Sequence, residues 1–121
     1  MAHFRYLVEN VDEAVSFYRD HLGFDLKQQF GPAMAILQRD DLELWLAGPM
    51  ASASKPMADG TVPKSGGWNR CVLIVVDLER LVTELRQKEI PFLNDIVTGP
   101  GGKQILCRDP SGNVIELFEP A

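Results

Sequence analysis

The sequence predicts an α+β domain built twice over: a strand, a helix and three further strands, then the same order again. Two observations carry that expectation. Each half holds one stretch of helical periodicity behind an N-capping residue, Asn10 in the first and Asp77 in the second, with one alternating apolar run before it and three after it. Aligning the helices matches Val11 with Leu78, Ala14 with Leu81, Val15 with Val82 and Tyr18 with Leu85, and sets His3 opposite Arg70. The expected division is a module over about residues 1–48, a linker or lid over 49–67 and a second module over about 68–121, all within one domain.

From His3 to Glu9 a strand is expected, with Phe4, Tyr6 and Val8 on one face and His3, Arg5 and Leu7 on the other. A helix follows from Val11, with Asp12 and Glu13 favourably placed in its first turn and Gly23 closing it. His21 falls in its last turn, where a solvated cation is welcome. Phe24 to Phe30, Ala33 to Arg39 and Leu42 to Leu46 read as an antiparallel meander, broken at Gly31-Pro32 and Asp40-Asp41. In its third run the leucines belong to the core, so Glu43 and Trp45 point to the other side.

Gly48 to Gly67 is rich in Pro, Gly, Ala and Ser and has no periodicity of either kind. It is either a plain connection or a lid, with Trp68 at its end as a candidate ligand-contacting aromatic. Arg70 to Val76 then reads as a strand. Leu78, Leu81, Val82 and Leu85 form the apolar stripe of the second helix, and Ile90-Pro91 ends it. Asn94 to Thr98, Lys103 to Arg108 and Val114 to Glu119 complete the repeat.

The last strand is launched by Asp109-Pro110-Ser111-Gly112-Asn113, whose residues suit a type I turn. Alternation then places Ile115 and Leu117 on one face and Val114, Glu116 and Phe118 on the other. A carboxylate among apolar side chains costs free energy unless a cation, a metal or hydrogen bonds compensate it, so Glu116 calls for a partner.

Composition narrows the classes. With 121 residues, 45% hydrophobic and 24% charged, the chain is a globular domain with a real core. Seventeen acidic residues against 12 basic give a net charge of -5, which disfavours nucleic acid as a ligand. No apolar run reaches membrane-spanning length, and the N-terminus lacks a signal-peptide pattern, so a cytoplasmic protein without membrane partners is expected. Cys71 and Cys107 fall in strands and are expected to be reduced and buried.

The doubled βαβββ unit, with Val11 through Phe24 after the first strand and Asp109 through Leu117 near the end, resembles the vicinal oxygen chelate superfamily. That superfamily groups glyoxalase I, bleomycin resistance proteins, thiol-transferring fosfomycin resistance proteins and extradiol dioxygenases. The resemblance covers essentially the whole chain. It implies two modules forming a curved mixed sheet around a cavity, pairing as a homodimer, and a small-molecule ligand or substrate. Its metal-dependent members place one ligand on the first and last strand of each module, which implies His3, Glu43, Arg70 and Glu116 here. Three of these can bind a divalent metal; the guanidinium of Arg70 has no lone pair to offer. Slipping the strand by one would substitute Cys71, but would turn the wrong face inward.

Two functions follow from the resemblance. One is a binding protein of the bleomycin resistance type, without a cofactor, in which Arg70 projects between Glu43 and Glu116 in place of a metal. That charged group is either a ligand-binding device or a structural one. Strand parity adds Arg5, Trp45 and Phe118 to the ligand-binding candidates, with Trp68 from the linker; the aromatics either stack on a planar or cationic ligand or serve core or dimer packing. The alternative is a glyoxalase-like lyase or isomerase, or a dioxygenase-type enzyme. There His3, Glu43 and Glu116 would hold nickel, zinc, manganese or iron, and Glu116 or Glu43 would double as the catalytic base.

Overall fold

The computed structural model describes residues 1–121, and the chain divides into two compact units. One comprises residues 1–67 with 109–113, the other residues 68–108 with 114–121. The turn that launches the last strand thus belongs with the first unit.

The first unit contains β1 (Ala2–Leu7), α1 (Val11–His21), β2 (Asp25–Phe30), β3 (Met34–Arg39) and β4 (Leu42–Ala47). Its sheet runs in the order β1-β4-β3-β2, with β1 parallel to β4 and the other pairs antiparallel. α1 starts where Asn10 Oδ1 accepts the Glu13 N–H at 2.9 Å. It ends where the N–H groups of Leu22 and Phe24 both donate to the Tyr18 carbonyl, a turn that needs the positive φ of Gly23 (+71°). Its buried stripe of Val11, Ala14, Val15 and Tyr18 packs on the sheet face that carries Tyr6, Ala35, Leu37, Leu44 and Leu46. Each Val and Leu among them contributes roughly 1.5–3 kcal/mol on burial, and this layer is the core of the unit. The opposite face presents His3, Glu43 and Gln38 in one row and Arg5, Trp45 and Ile36 in the next.

The second unit repeats the order with β5 (Cys71–Ile74), α2 (Leu78–Gln87), β6 (Val97–Gly99), β7 (Gly102–Arg108) and β8 (Val114–Pro120). Its sheet order, β5-β8-β7-β6, has the same single parallel pair, β5 with β8. Asp77 caps α2 through the Arg80 N–H at 3.2 Å, and the Glu119 carboxylate accepts the N–H of Leu78 at 2.7 Å. Cys71, Leu73, Leu78, Val82, Leu85, Ile105, Cys107, Ile115 and Leu117 form the core. Neither cysteine is in a disulfide, and both are buried.

Several boundaries differ from those the sequence suggests, among them the first strand, which runs Ala2–Leu7 rather than from His3 to Glu9. The strand at Arg70 to Val76 shortens to Cys71–Ile74. α2 stops at Gln87 rather than at Ile90-Pro91, because Glu89 adopts a positive φ of 63°. Glu89 N–H then reaches the Arg86 carbonyl (3.0 Å) and Ile90 N–H the Leu85 carbonyl (3.0 Å), the paired closing bonds of a Schellman turn. The expected strand at Asn94 to Thr98 begins only at Val97, because Asn94 Oδ1 accepts the Leu106 N–H at 3.0 Å and takes the ladder position that a backbone carbonyl would fill.

The Pro- and Gly-rich connection has order of its own. A short 3-10 turn spans Ser52–Ser54, Ser54 Oγ donates to the Gly48 carbonyl at 2.7 Å, and Met57 N–H donates to the Thr61 carbonyl at 2.7 Å. The Thr61 N–H donates to Asp59 Oδ1 at 3.0 Å and holds that carboxyl below the usual range. No helix of the chain is long and apolar enough to cross a membrane.

Candidate functional site

On the open face of the first sheet, β1 and β4 run parallel with His3 beside Glu43 and Arg5 beside Trp45. Alternation brings all four to this face, because Phe4, Tyr6, Leu44 and Leu46 are needed on the other. Glu43 Oε1 accepts the Trp45 indole N–H at 2.8 Å and lies 3.4 Å from His3 Nε2. His3 also meets the Trp45 ring edge-on, with centroids 5.3 Å apart. The Arg5 guanidinium lies 5.1 Å from the centroid of the same ring. Trp45 therefore organises the cluster: its edge holds a carboxylate and its ring holds a cation.

The second sheet carries a different pair. Arg70 Nε and Nη2 both reach Glu116 Oε1 at 3.0 Å, and Nη1 donates to the Trp68 carbonyl at 3.4 Å. Glu116 is 7% exposed, so its charge sits where water cannot solvate it well, and the guanidinium is what neutralises it. Parity along β5 is as the shorter register requires, with Cys71 and Leu73 buried and Val72 and Ile74 exposed beside Glu116 and Phe118. The one-residue slip that would aim Cys71 at this face does not occur.

Phe118 is half-buried on that face, between Ile74 and Gln104. Trp68 is 65% exposed, and the Arg108 guanidinium lies 5.9 Å from its ring centroid. His21, expected to be solvated, instead has its Nδ1 buried without a hydrogen-bond partner, with its ring edge-on to Phe17 at 5.6 Å.

Of the four residues that the sequence resemblance implies as ligand places, His3 and Glu43 stand together in the first unit and Arg70 and Glu116 in the second. In neither unit do three His, Cys, Asp or Glu side chains gather into a cradle for an ion. A guanidinium cannot ligate, and with Arg70 in the third place the second unit offers the one Glu116 carboxylate, already paired with a cation; its donor set does not fit a divalent ion.

Sequence reasoning missed two groups. The first is the buried anchor of the first unit. Asp109 Oδ2 accepts from Tyr18 Oη (2.8 Å) and Asn113 Nδ2 (2.9 Å), while Oδ1 accepts the N–H groups of Ser111 and Asn113 (both 2.9 Å). Asn113 also donates to the Leu7 carbonyl (2.8 Å) and accepts the Gly66 N–H (3.0 Å), which ties the end of β1 and the end of the long connection to the turn. The available signal was the mismatch of Tyr18 with Leu85 at equivalent helix positions: a hydroxyl on a buried stripe needs a partner. The second is a cavity of about 250 Å³ lined by Leu7, Val8, Pro49, Val62, Pro63 and Lys64 among others, where the connection lies against the end of β1. No periodicity announced it.

Comparison with known proteins agrees with this architecture. Over 124 residues the chain is 26% identical to mouse (Mus musculus) mitochondrial methylmalonyl-CoA epimerase, covering 95% of this chain and 70% of that protein. Among solved structures it is similar to a glyoxalase/bleomycin resistance protein/dioxygenase superfamily member from Sphaerobacter thermophilus (TM-score 0.78, 24% identity, 98% of this chain and 95% of that one). It is similar also to lactoylglutathione lyase from Agrobacterium tumefaciens (TM-score 0.77, 22% identity, 98% and 92%). A third likeness is to TnmS3, an antibiotic binding protein from Streptomyces sp. CB03234 (TM-score 0.76, 25% identity, 98% and 93%). The family model of the glyoxalase/bleomycin resistance protein/dioxygenase superfamily matches residues 1–117, and the chain belongs to that superfamily.

Proposed function

We propose that this protein binds a small molecule on the open faces of its sheets and does so without a resident divalent metal. The observation that carries the reading is the Arg70–Glu116 pair, two N–H groups on one carboxylate oxygen at 3.0 Å, which puts a fixed internal cation where metal-dependent relatives would have a ligand. Support comes from the Trp45 cluster, an aromatic surface flanked by His3, Glu43 and Arg5, and from the half-buried Phe118 beside exposed Val72 and Ile74. An apolar floor with a few convergent polar groups is the composition of a small-molecule site. The likeness to an antibiotic binding protein points the same way. In this reading two copies pair as a homodimer, and the protein works in the cytoplasm.

The test is calorimetric titration of nickel, zinc and manganese into chelator-stripped protein, with Glu116→Gln as control. No specific binding is the expected result. Uptake of about one ion per chain, lost in Glu116→Gln, would overturn the reading and favour a lyase, isomerase or dioxygenase-type metalloenzyme. Sedimentation equilibrium tests the pairing, for which a dimer is expected.

A further inference from the structure

Both tryptophans of the chain carry an arginine on the ring, and neither arginine has a carboxylate partner. Arg5 lies over Trp45 at 5.1 Å and Arg108 over Trp68 at 5.9 Å, each within its own unit. Four of the other arginines are paired with carboxylates: Arg39 with Asp40, Arg70 with Glu116, Arg80 with Glu84 and Arg86 with Asp95. A cation over an indole gains from the ring quadrupole but makes no hydrogen bond to it, so the guanidinium keeps its fork of N–H donors for another group. The Glu43 carboxylate beside Trp45 is taken up by the Trp45 N–H and faces His3. A cationic ligand would find the Trp45 ring already held by Arg5. An oxyanion would find a guanidinium positioned by the ring and lacking an acceptor.

From this geometry we propose that the ligand is a planar or conjugated oxyanion, with its carboxylate or phosphoryl oxygens on the arginine and its body alongside the arginine–tryptophan stack, Arg5 on the Trp45 platform being the principal one. This deepens the binding reading and rests on it. The chain is acidic as a whole, at -5, but Arg5 and Arg108, which have no carboxylate partner, are stationed on its two tryptophan rings. Bidentate recognition by Arg suits both carboxylate and phosphate, so the two sources are separated by experiment.

The experiment is calorimetry of the full-length protein with three probes that share one ring system: 2-naphthoate, 1-naphthyl phosphate and 1-naphthylmethylammonium. Binding of either anion in preference to the ammonium is expected, and whichever of the two binds tighter identifies the oxyanion as carboxylate or phosphoryl. Arg5→Gln is expected to weaken that binding about tenfold or more, the order of one charge-assisted pair, with Arg5→Lys recovering only part of it. Arg108→Gln reads the second platform in the same way. Both arginines are exposed, so the variants are expected to keep the fold, which an unchanged melting temperature verifies. Tighter binding of the ammonium, or unchanged affinity in both glutamine variants, overturns the oxyanion assignment while leaving small-molecule binding in place. Absence of binding by all three probes overturns the oxyanion assignment too, and the metal titration then decides the fate of the broader reading.

Discussion

Tyr18 donates its hydroxyl to Asp109 at 2.8 Å across 91 positions of sequence, and the bond is buried. It fixes the turn that starts the last strand to the helix of the first unit. Every oxygen of Asp109 is supplied with donors, as a buried carboxylate requires. Tyr18→Phe removes one of these donors and keeps the ring. The expected loss is about 1–3 kcal/mol of stability, read as a lower urea midpoint with unchanged slope. Asp109→Ala, which strands all the donors at once, is expected to cost more than Tyr18→Phe.

The Arg70–Glu116 pair is expected to show strong coupling. Arg70→Met leaves a carboxylate that is 7% exposed without its cation and should destabilise by about 1–3 kcal/mol, less than a fully buried pair would because the Arg70 side chain keeps 30% exposure. Replacing both, Arg70→Met with Glu116→Leu, should recover much of that loss. A double-mutant cycle on melting temperatures checks it, and additive losses would show that the two groups do not depend on each other.

Glu89 closes α2 with a φ of 63°, a conformation that costs a residue with a Cβ about 1–2 kcal/mol. Glu89→Gly should therefore stabilise the protein, by about 0.5–1 kcal/mol once the greater freedom of glycine in the unfolded chain is counted. Differential scanning calorimetry should show the melting temperature rising.

Gly102 presents the opposite case. It opens β7 with a φ of 146°, and a Cβ there would collide with the carbonyl oxygen of Glu119 in the neighbouring strand. Gly102→Ala is expected to cost more than about 2 kcal/mol, since both the conformation and the contact forbid the methyl group. Comparison with Gly31→Ala separates the two causes, because Gly31 also has a positive φ (54°) but has nothing within 4 Å of its Cβ position.

What could be read from the residues follows the range of the interactions that encode it. Asn10 and Asp77 cap their helices as their positions announced, because a cap bonds only three residues ahead. Phe4 and Tyr6 turn inward while His3 and Arg5 turn outward, and Cys71 and Leu73 turn inward while Val72 and Ile74 do not, because alternation is a property of the backbone itself. The need of Glu116 for a cation was legible for the same reason: parity put a carboxylate among apolar neighbours.

Boundaries were less legible. The second helix stops early through the conformation of Glu89, and the third-last strand starts late because the Asn94 side chain takes a ladder position 12 residues away. Both are side-chain or backbone choices that a periodic pattern averages away. In the candidate site, parity placed Glu43 beside Trp45 on one face but could not show that the indole N–H would bond that carboxylate or that Arg5 would lie over the ring.

By itself, then, the sequence determined the doubled strand, helix and three-strand order, the helix starts and the faces of the strands, all set by forces acting within a few residues. The tertiary structure alone decided that Tyr18 would serve Asp109, that Asn113 would reach Leu7 across 106 positions, and that the turn at 109–113 would belong with the first unit. Those choices depend on which buried polar groups can satisfy one another once distant segments are packed, and no local pattern carries that information.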